Sequence, residues 1–185
     1  MKCISKIGKI IMKILEIFHW VAAALMAAAA VCSVAASNYI GYFVGIDLKE
    51  CCGAELSVYG FDVRSAVTDG NVDMTVFMIF GIGAVVILAL MAIIFRNMHL
   101  IFKRSESETP FSKDNIRRMK KIGIFSIAIP VIGLIMSVLL RLIVGPDMVE
   151  ISVDQSGIIM GIIVLGLTQY FAYGAELEKD VEGLL

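Results

Sequence analysis

Four stretches of this chain, about residues 15–37, 74–95, 122–144 and 156–173, are almost continuously apolar. Roughly 20 consecutive apolar residues carry a helix across the hydrocarbon core of a bilayer. No water is available there, so every backbone N–H and C=O must be paired within the protein, and a helix does this within the segment. These two requirements predict an all-α integral membrane protein. It has four transmembrane helices in a single domain over residues 1–185.

The net charge of −1 conceals a segregation that orients the spans. Residues 1–13 hold four lysines and no acid, and residues 96–121 hold eight bases against three acids. By contrast, residues 37–73 hold six acids against two bases, and residues 145–155 hold three acids and no base. Lysine and arginine concentrate on the cytoplasmic side of membrane proteins. The expected arrangement has both termini and the linker 96–121 in the cytoplasm and the loops 38–73 and 145–155 outside. The expected location is a bacterial cytoplasmic membrane, with the lipid bilayer as the first partner.

The linker contains the best-marked helix start in the chain, Thr109-Pro110-Phe111-Ser112-Lys113-Asp114-Asn115-Ile116-Arg117-Arg118-Met119-Lys120-Lys121-Ile122-Gly123. Pro110 biases Thr109 away from helical angles. Ser112 is suited to be an N-cap that accepts from a first-turn N–H, and Asp114 suits the positive helix end. Phe111 and Ile116 occupy the two positions of a hydrophobic staple. Arg117, Arg118, Lys120 and Lys121 then lead into the third apolar run. Such a stretch can simply hold topology, or it can present a surface to a partner.

The N-terminal lysines at 2, 6, 9 and 13 fall on one helical face, which suits anionic headgroups. The run that follows resembles a signal peptide at its start but is too long for one, so an uncleaved first helix is expected. Its alanines, Ala22 to Ala24 and Ala27 to Ala30, permit close helix approach. Glu16 and His19 form either a buried proton-relay pair or, with Trp20, an interfacial belt in which Lys13 pairs with Glu16.

In the first outer loop, Leu56 to Val63 is rich in β-formers around Gly60, a candidate turn or bulge. Met148 to Val153 alternates similarly. Strands from the two outer loops would then pair as a small extracytoplasmic β cap. Of the four cysteines, Cys51 and Cys52 lie in the same outer loop. Neighbouring cysteines rarely bridge each other, and this loop has no histidine to complete a metal site.

The spans carry little chemistry. Gly81, Gly83 and the Gly157-xxx-Gly161 spacing suit helix packing, and Pro130 should kink the third span. Arg141, near its outer end, either snorkels toward acids of the following loop or binds a substrate, and Gly145-Pro146 ends the helix. After the fourth span comes an acidic tail, with Glu176, Glu178, Asp180 and Glu182 against Lys179.

Two segments, Pro110-Phe111-Ser112, Asn115, Arg117-Arg118 and Ile122-Gly123 in the linker, and Gly161, Leu165, Gln169, Phe171, Gly174 and Glu176-Leu177-Glu178 in the last span, resemble the domain of unknown function 2975 family of small bacterial membrane proteins. The resemblance implies four helices with a longer first outer loop. It also implies a regulatory partner such as a small Cro-like helix-turn-helix protein. The family has no established catalytic residues, so it implies none here. Cys51-Cys52 and the long acidic tail are not part of the pattern.

No HExxH, paired mid-span aspartates or GxSxG elbow is present, so an enzyme is not expected, nor a cofactor or metal. The expected function is non-enzymatic, regulatory or sensory, acting through a cytoplasmic protein partner. Phe111, Ser112, Asn115, Arg117, Arg118, Glu176 and Glu178 are the candidate partner-binding residues, and direct nucleic-acid binding is not expected. A small transporter or channel working as a homo-oligomer is the alternative, although the span centres offer only Ser126, Ser137 and glycines.

Overall fold

In a computed structural model the chain is dominated by four long helices. The structure describes residues 2–35, 56–63, 67–68, 71–72, 74–104, 109, 111–146, 149, 151 and 153–182. Helix α1 spans Lys2–Ala35, α2 Met74–Arg104, α3 Lys113–Val144 and α4 Gln155–Glu182. Each is long and apolar enough to cross a membrane, which makes the chain a multi-pass membrane protein by length and composition.

Every helix outruns its expected apolar span. The basic leader is the first turns of α1, and α2 continues through its own basic end to Arg104. The acidic residues after Tyr173 extend α4 as helix to Glu182 and are not a separate tail. The cause is local: glutamate, lysine, leucine and alanine all sustain a helix once it has started. Helix α3 runs unbroken through the buried Pro130. It ends at Gly145, whose φ of 116° is inaccessible to most residues and whose N–H donates to the Arg141 carbonyl at 3.1 Å.

Among the described residues the strands pair within the first loop, and Met148, Glu150 and Ser152 of the other expected strand lie outside the described residues. Strand β1 (Leu56–Val58) pairs with β2 (Phe61–Val63), and β3 (Val67–Thr68) with β4 (Asn71–Val72), as two short antiparallel hairpins inside the first loop. The second loop contributes no strand among its described residues. Tyr59 and Gly60 both have positive φ, 45° and 81°. That is the requirement of a two-residue type I′ turn, whose twist matches its strands. A local turn of this kind pairs neighbours before any distant strand can compete.

By its contacts the chain divides into two compact units. One comprises residues 1–19, 90–128 and 155–185. In it, the start of α1 packs along the end of α2: Ser5 Oγ donates to the Phe102 carbonyl at 3.1 Å, and His99 Nδ1 lies 2.9 Å from the Lys9 carbonyl. Helices α3 and α4 pack through glycines, with Gly123 against Leu165 and Gly161 against Ile127.

The other unit comprises residues 20–89 and 129–154. Its buried side chains include Ala23, Val76, Phe80, Ala84, Ile87, Leu140 and the hairpin residues Phe61 and Val63. Gly81 meets Ala30, and Gly83 meets Phe61 and Met136, so the glycines of α2 mark a packing patch.

Candidate functional site

The start of α3 forms as its residue types require. The Ser112 carbonyl accepts the first helical bond from Ile116 at 3.1 Å. Ser112 Oγ accepts from the Asn115 N–H at 3.4 Å, a long N-cap contact. The Ser112 N–H donates back to the Thr109 carbonyl at 3.2 Å, closing the turn ahead of the helix. Asp114, in the first turn, pairs with Arg104 at the end of α2, so each helix end receives the charge that its dipole favours.

Phe111 does more than enter the helix. Its ring, 37% exposed, packs at 49° against Phe171 of α4, centroid to centroid 5.6 Å. It lies over Gly174, where a Cβ would come within 2.7 Å of Phe111 Cε1. One turn further along α4, Glu178 Oε2 accepts from Thr109 Oγ1 at 3.5 Å. Phe171, Gly174 and Glu178 stand three and four residues apart and so share one face of α4. Between these elements lies a groove of about 430 Å³, lined by Thr109, Phe111, Ser112, Lys113, Ile116, Ala172, Ala175, Glu176, Glu178 and Lys179.

This groove gathers four of the seven candidate partner-binding residues: Phe111, Ser112, Glu176 and Glu178. Arg117 is exposed and Arg118 half-buried on α3, and neither lines the groove. Asn115 is buried at 3% exposure, with Nδ2 3.5 Å from the Thr109 carbonyl. Its position makes it a brace for the turn and not a surface residue. Asn115 Oδ1 and Arg118 Nε, one helical turn apart, are buried without a hydrogen-bond partner among the described residues.

Among the described residues, Arg117, Arg118, Lys120 and Lys121 make no ion pair with Glu176, Glu178 or Asp180. What links the linker to α4 is an aromatic contact, a glycine seat and a hydroxyl-to-carboxylate hydrogen bond. Lys113 and Lys179, which sequence reasoning did not single out, supply the cations at the groove itself. The signal for this wall was available in the 171, 174, 178 spacing.

The buried polar residues of the helices are mostly satisfied locally. Lys13 Nζ meets Glu16 Oε2 at 3.0 Å, as the i,i+3 spacing suggests. His19, only 4% exposed, has Nδ1 2.8 Å from the Leu15 carbonyl and its ring 4.9 Å from that of Phe95. Asn97 donates to the Ile93 carbonyl and Thr168 to that of Val164, each one turn back. Arg141 is exposed and makes no ion pair among the described residues. Of its expected partners Asp147, Glu150 and Asp154, the first two lie outside the described residues, as do Cys51 and Cys52, and Asp154 stands against Gly60. No cluster of three metal-ligating side chains occurs among the described residues.

No protein-family model, curated protein or solved structure matches this chain.

Proposed function

We propose that this is a non-enzymatic regulatory or sensory protein of a bacterial cytoplasmic membrane, acting through a cytoplasmic protein partner. The observation that carries the reading is the groove between the start of α3 and the end of α4. It has an apolar floor of Phe111, Ile116, Ala172 and Ala175 and a rim of Lys113, Glu176, Glu178 and Lys179. A volume of about 430 Å³ suits a few side chains of a partner helix or loop, with charges of both signs available to set its register. The alternation of charge along the sequence supports a cytoplasmic position for this end of the helices and for both termini.

Membership of the domain of unknown function 2975 family belongs to the same proposal. In support, residues carrying the resemblance in one segment meet those in the other: Phe111 with Phe171 and Gly174, and Gly123 with Leu165 and Gly161. A small helix-turn-helix regulator is the partner that this membership implies.

The test is a photo-crosslinking side chain at Lys113 in intact cells, with adducts identified by mass spectrometry. A discrete cytoplasmic adduct, lost when Glu178 and Lys179 are reversed in charge, is the expected result. Adducts to lipid alone, or the same protein adduct with the reversed rim, would overturn the reading. Orientation is checked separately by impermeant thiol reagents on intact cells, which should modify Cys51 and Cys52 and spare Cys3.

A further inference from the structure

Helix α3 has one face that no described residue covers. Ile124, Val131, Ile135, Val138 and Leu142 are all exposed on it. Their spacing, in steps of three, four and seven residues, keeps them on one line along the helix. Followed back toward the start of α3 by steps of four and three, the same line passes through Lys120 and Arg117, with Lys121 beside them. These three are exposed as well. The face is therefore apolar along most of α3 and cationic near its start.

The length of the apolar part sets the depth of the cations. Ile122 to Leu140 run from Lys121 to Arg141 without a charge, a rise of about 28 Å. The hydrocarbon core of a bilayer is about 30 Å thick, and the whole bilayer about 40–45 Å with its headgroups. Lys120 and Lys121 therefore stand at the edge of the hydrocarbon. Arg117, about 6 Å from Lys121 along the helix, stands within the headgroup layer. Lys113, about 12 Å from Lys121, lies beyond that layer and lines the partner groove.

Holding orientation does not require this placement, because the positive-inside rule counts bases near a span whichever helix face carries them. Arg117 stands at i,i+3 to Lys120 and at i,i+4 to Lys121, where like charges repel. Among the described residues no carboxylate pairs with any of the three, and the nearby Asp114 is taken by Arg104. Arg118, about 100° round the helix from Arg117, is half-buried and off this face. At such spacings the Cβ atoms are about 5–6 Å apart, so the three long side chains can converge on one phosphate.

We infer that Arg117, Lys120 and Lys121 form a binding site for the phosphate of an anionic phospholipid whose acyl chains lie along Ile124 and Val131. Basic residues at a membrane surface attract anionic lipid. The Arg117 guanidinium offers the paired N–H groups that match phosphate oxygens, and the two ammonium groups add point charge. The bound phosphate offsets the repulsion among the three. A second copy of the chain is the poorer occupant, since a two-fold α3–α3 contact sets the same cations against their counterparts. The inference rests on the four helices crossing a membrane, and not on which side is cytoplasmic or on the partner groove.

The test uses the full chain in vesicles of phosphatidylcholine and phosphatidylglycerol, with a benzophenone side chain at position 124 and all three cations intact. Mass spectrometry of the adducts should recover phosphatidylglycerol enriched about fivefold over the vesicle ratio, the factor that one basic residue near an anionic surface supplies. The triple variant Arg117→Gln, Lys120→Gln, Lys121→Gln should return that ratio to the vesicle value. Lys6→Gln, Lys9→Gln, Lys103→Gln, with the same loss of charge, should leave it enriched. Phosphate and chloride buffers of equal ionic strength should give the same enrichment. Adducts in the vesicle ratio with the native cations, or adducts to protein in place of lipid, would overturn the site, and this arm stands by itself if the triple variant fails to insert. Equal loss in both triple variants would reduce the effect to net charge, and loss in phosphate buffer alone would assign the cations to a soluble anion. Either result also overturns the inference.

Discussion

The Phe111 ring sits where the side chain of residue 174 would be, had it one: a Cβ there comes within 2.7 Å of Cε1 and 2.9 Å of Cδ1. The glycine is thus a seat for the aromatic anchor of the linker. Gly174→Ala should make α4 intrinsically more helical by up to about 1 kcal/mol while pushing the part-exposed ring out of the groove. The expected outcome is unchanged or higher thermal stability together with loss of crosslinking from Lys113. Retained crosslinking would show that the seat does not shape the groove.

Gly161 faces a harder neighbour. A Cβ there would lie 2.4 Å from Ile127 Cγ1 and 2.8 Å from the backbone oxygen of Gly123, which cannot swing aside. Gly161→Ala should force α3 and α4 apart and cost about 1–3 kcal/mol. Gly166, five residues on, has nothing within 4 Å of the same position. Gly166→Ala should therefore be neutral or stabilising by up to about 1 kcal/mol. Denaturant unfolding of both variants in micelles checks the opposite signs.

Ser112→Ala removes the acceptor of the Asn115 N–H. An N-cap is worth about 0.5–2 kcal/mol, and the 3.4 Å distance puts this one toward the lower end. Amide exchange at residues 113–116 should accelerate while that at 122–130 stays unchanged.

Ser137 is completely buried and its hydroxyl has no hydrogen-bond partner among the described residues. A buried hydroxyl without a partner is a net cost to the fold. Ser137→Ala should leave stability unchanged or raise it by about 1 kcal/mol. A clear loss in the same unfolding assay would reveal a partner for the hydroxyl.

The sequence was most informative where the physics is local. Apolar run length determined the four spans, and Ser112, Asp114 and Gly145 marked helix ends that the structure places within a residue or two. The turn at Gly60 was legible for the same reason. Pairing was less legible. Alternation at 148–153 matched that at 56–63 in pattern, but the short turn closes its own strands first. The four bases are the most conspicuous residues of the linker, yet its contact with α4 is made by Phe111, Gly174 and Thr109. Charge is conspicuous in a sequence, whereas the absence of a side chain at 174 acquires meaning only once a ring lies above it. Nothing in the composition of the first loop announced that Phe61 would be among the most buried residues of the chain.

The register of α4 against α3 has a mechanical consequence. Gly161 beside Ile127 and Leu165 beside Gly123 bring Ala175 level with Lys113, where α3 begins. Helix α4 continues to Glu182, an overhang of about 10 Å. From its tight fulcrum at Gly161 to that tip is a lever of about 32 Å, so a tilt of about 5° displaces the end by about 3 Å. A tilt about that fulcrum would widen or narrow the groove along this lever. Its width is geared to the packing of two glycines several turns away, and a crowding methyl at the fulcrum would be read out, amplified, at the rim.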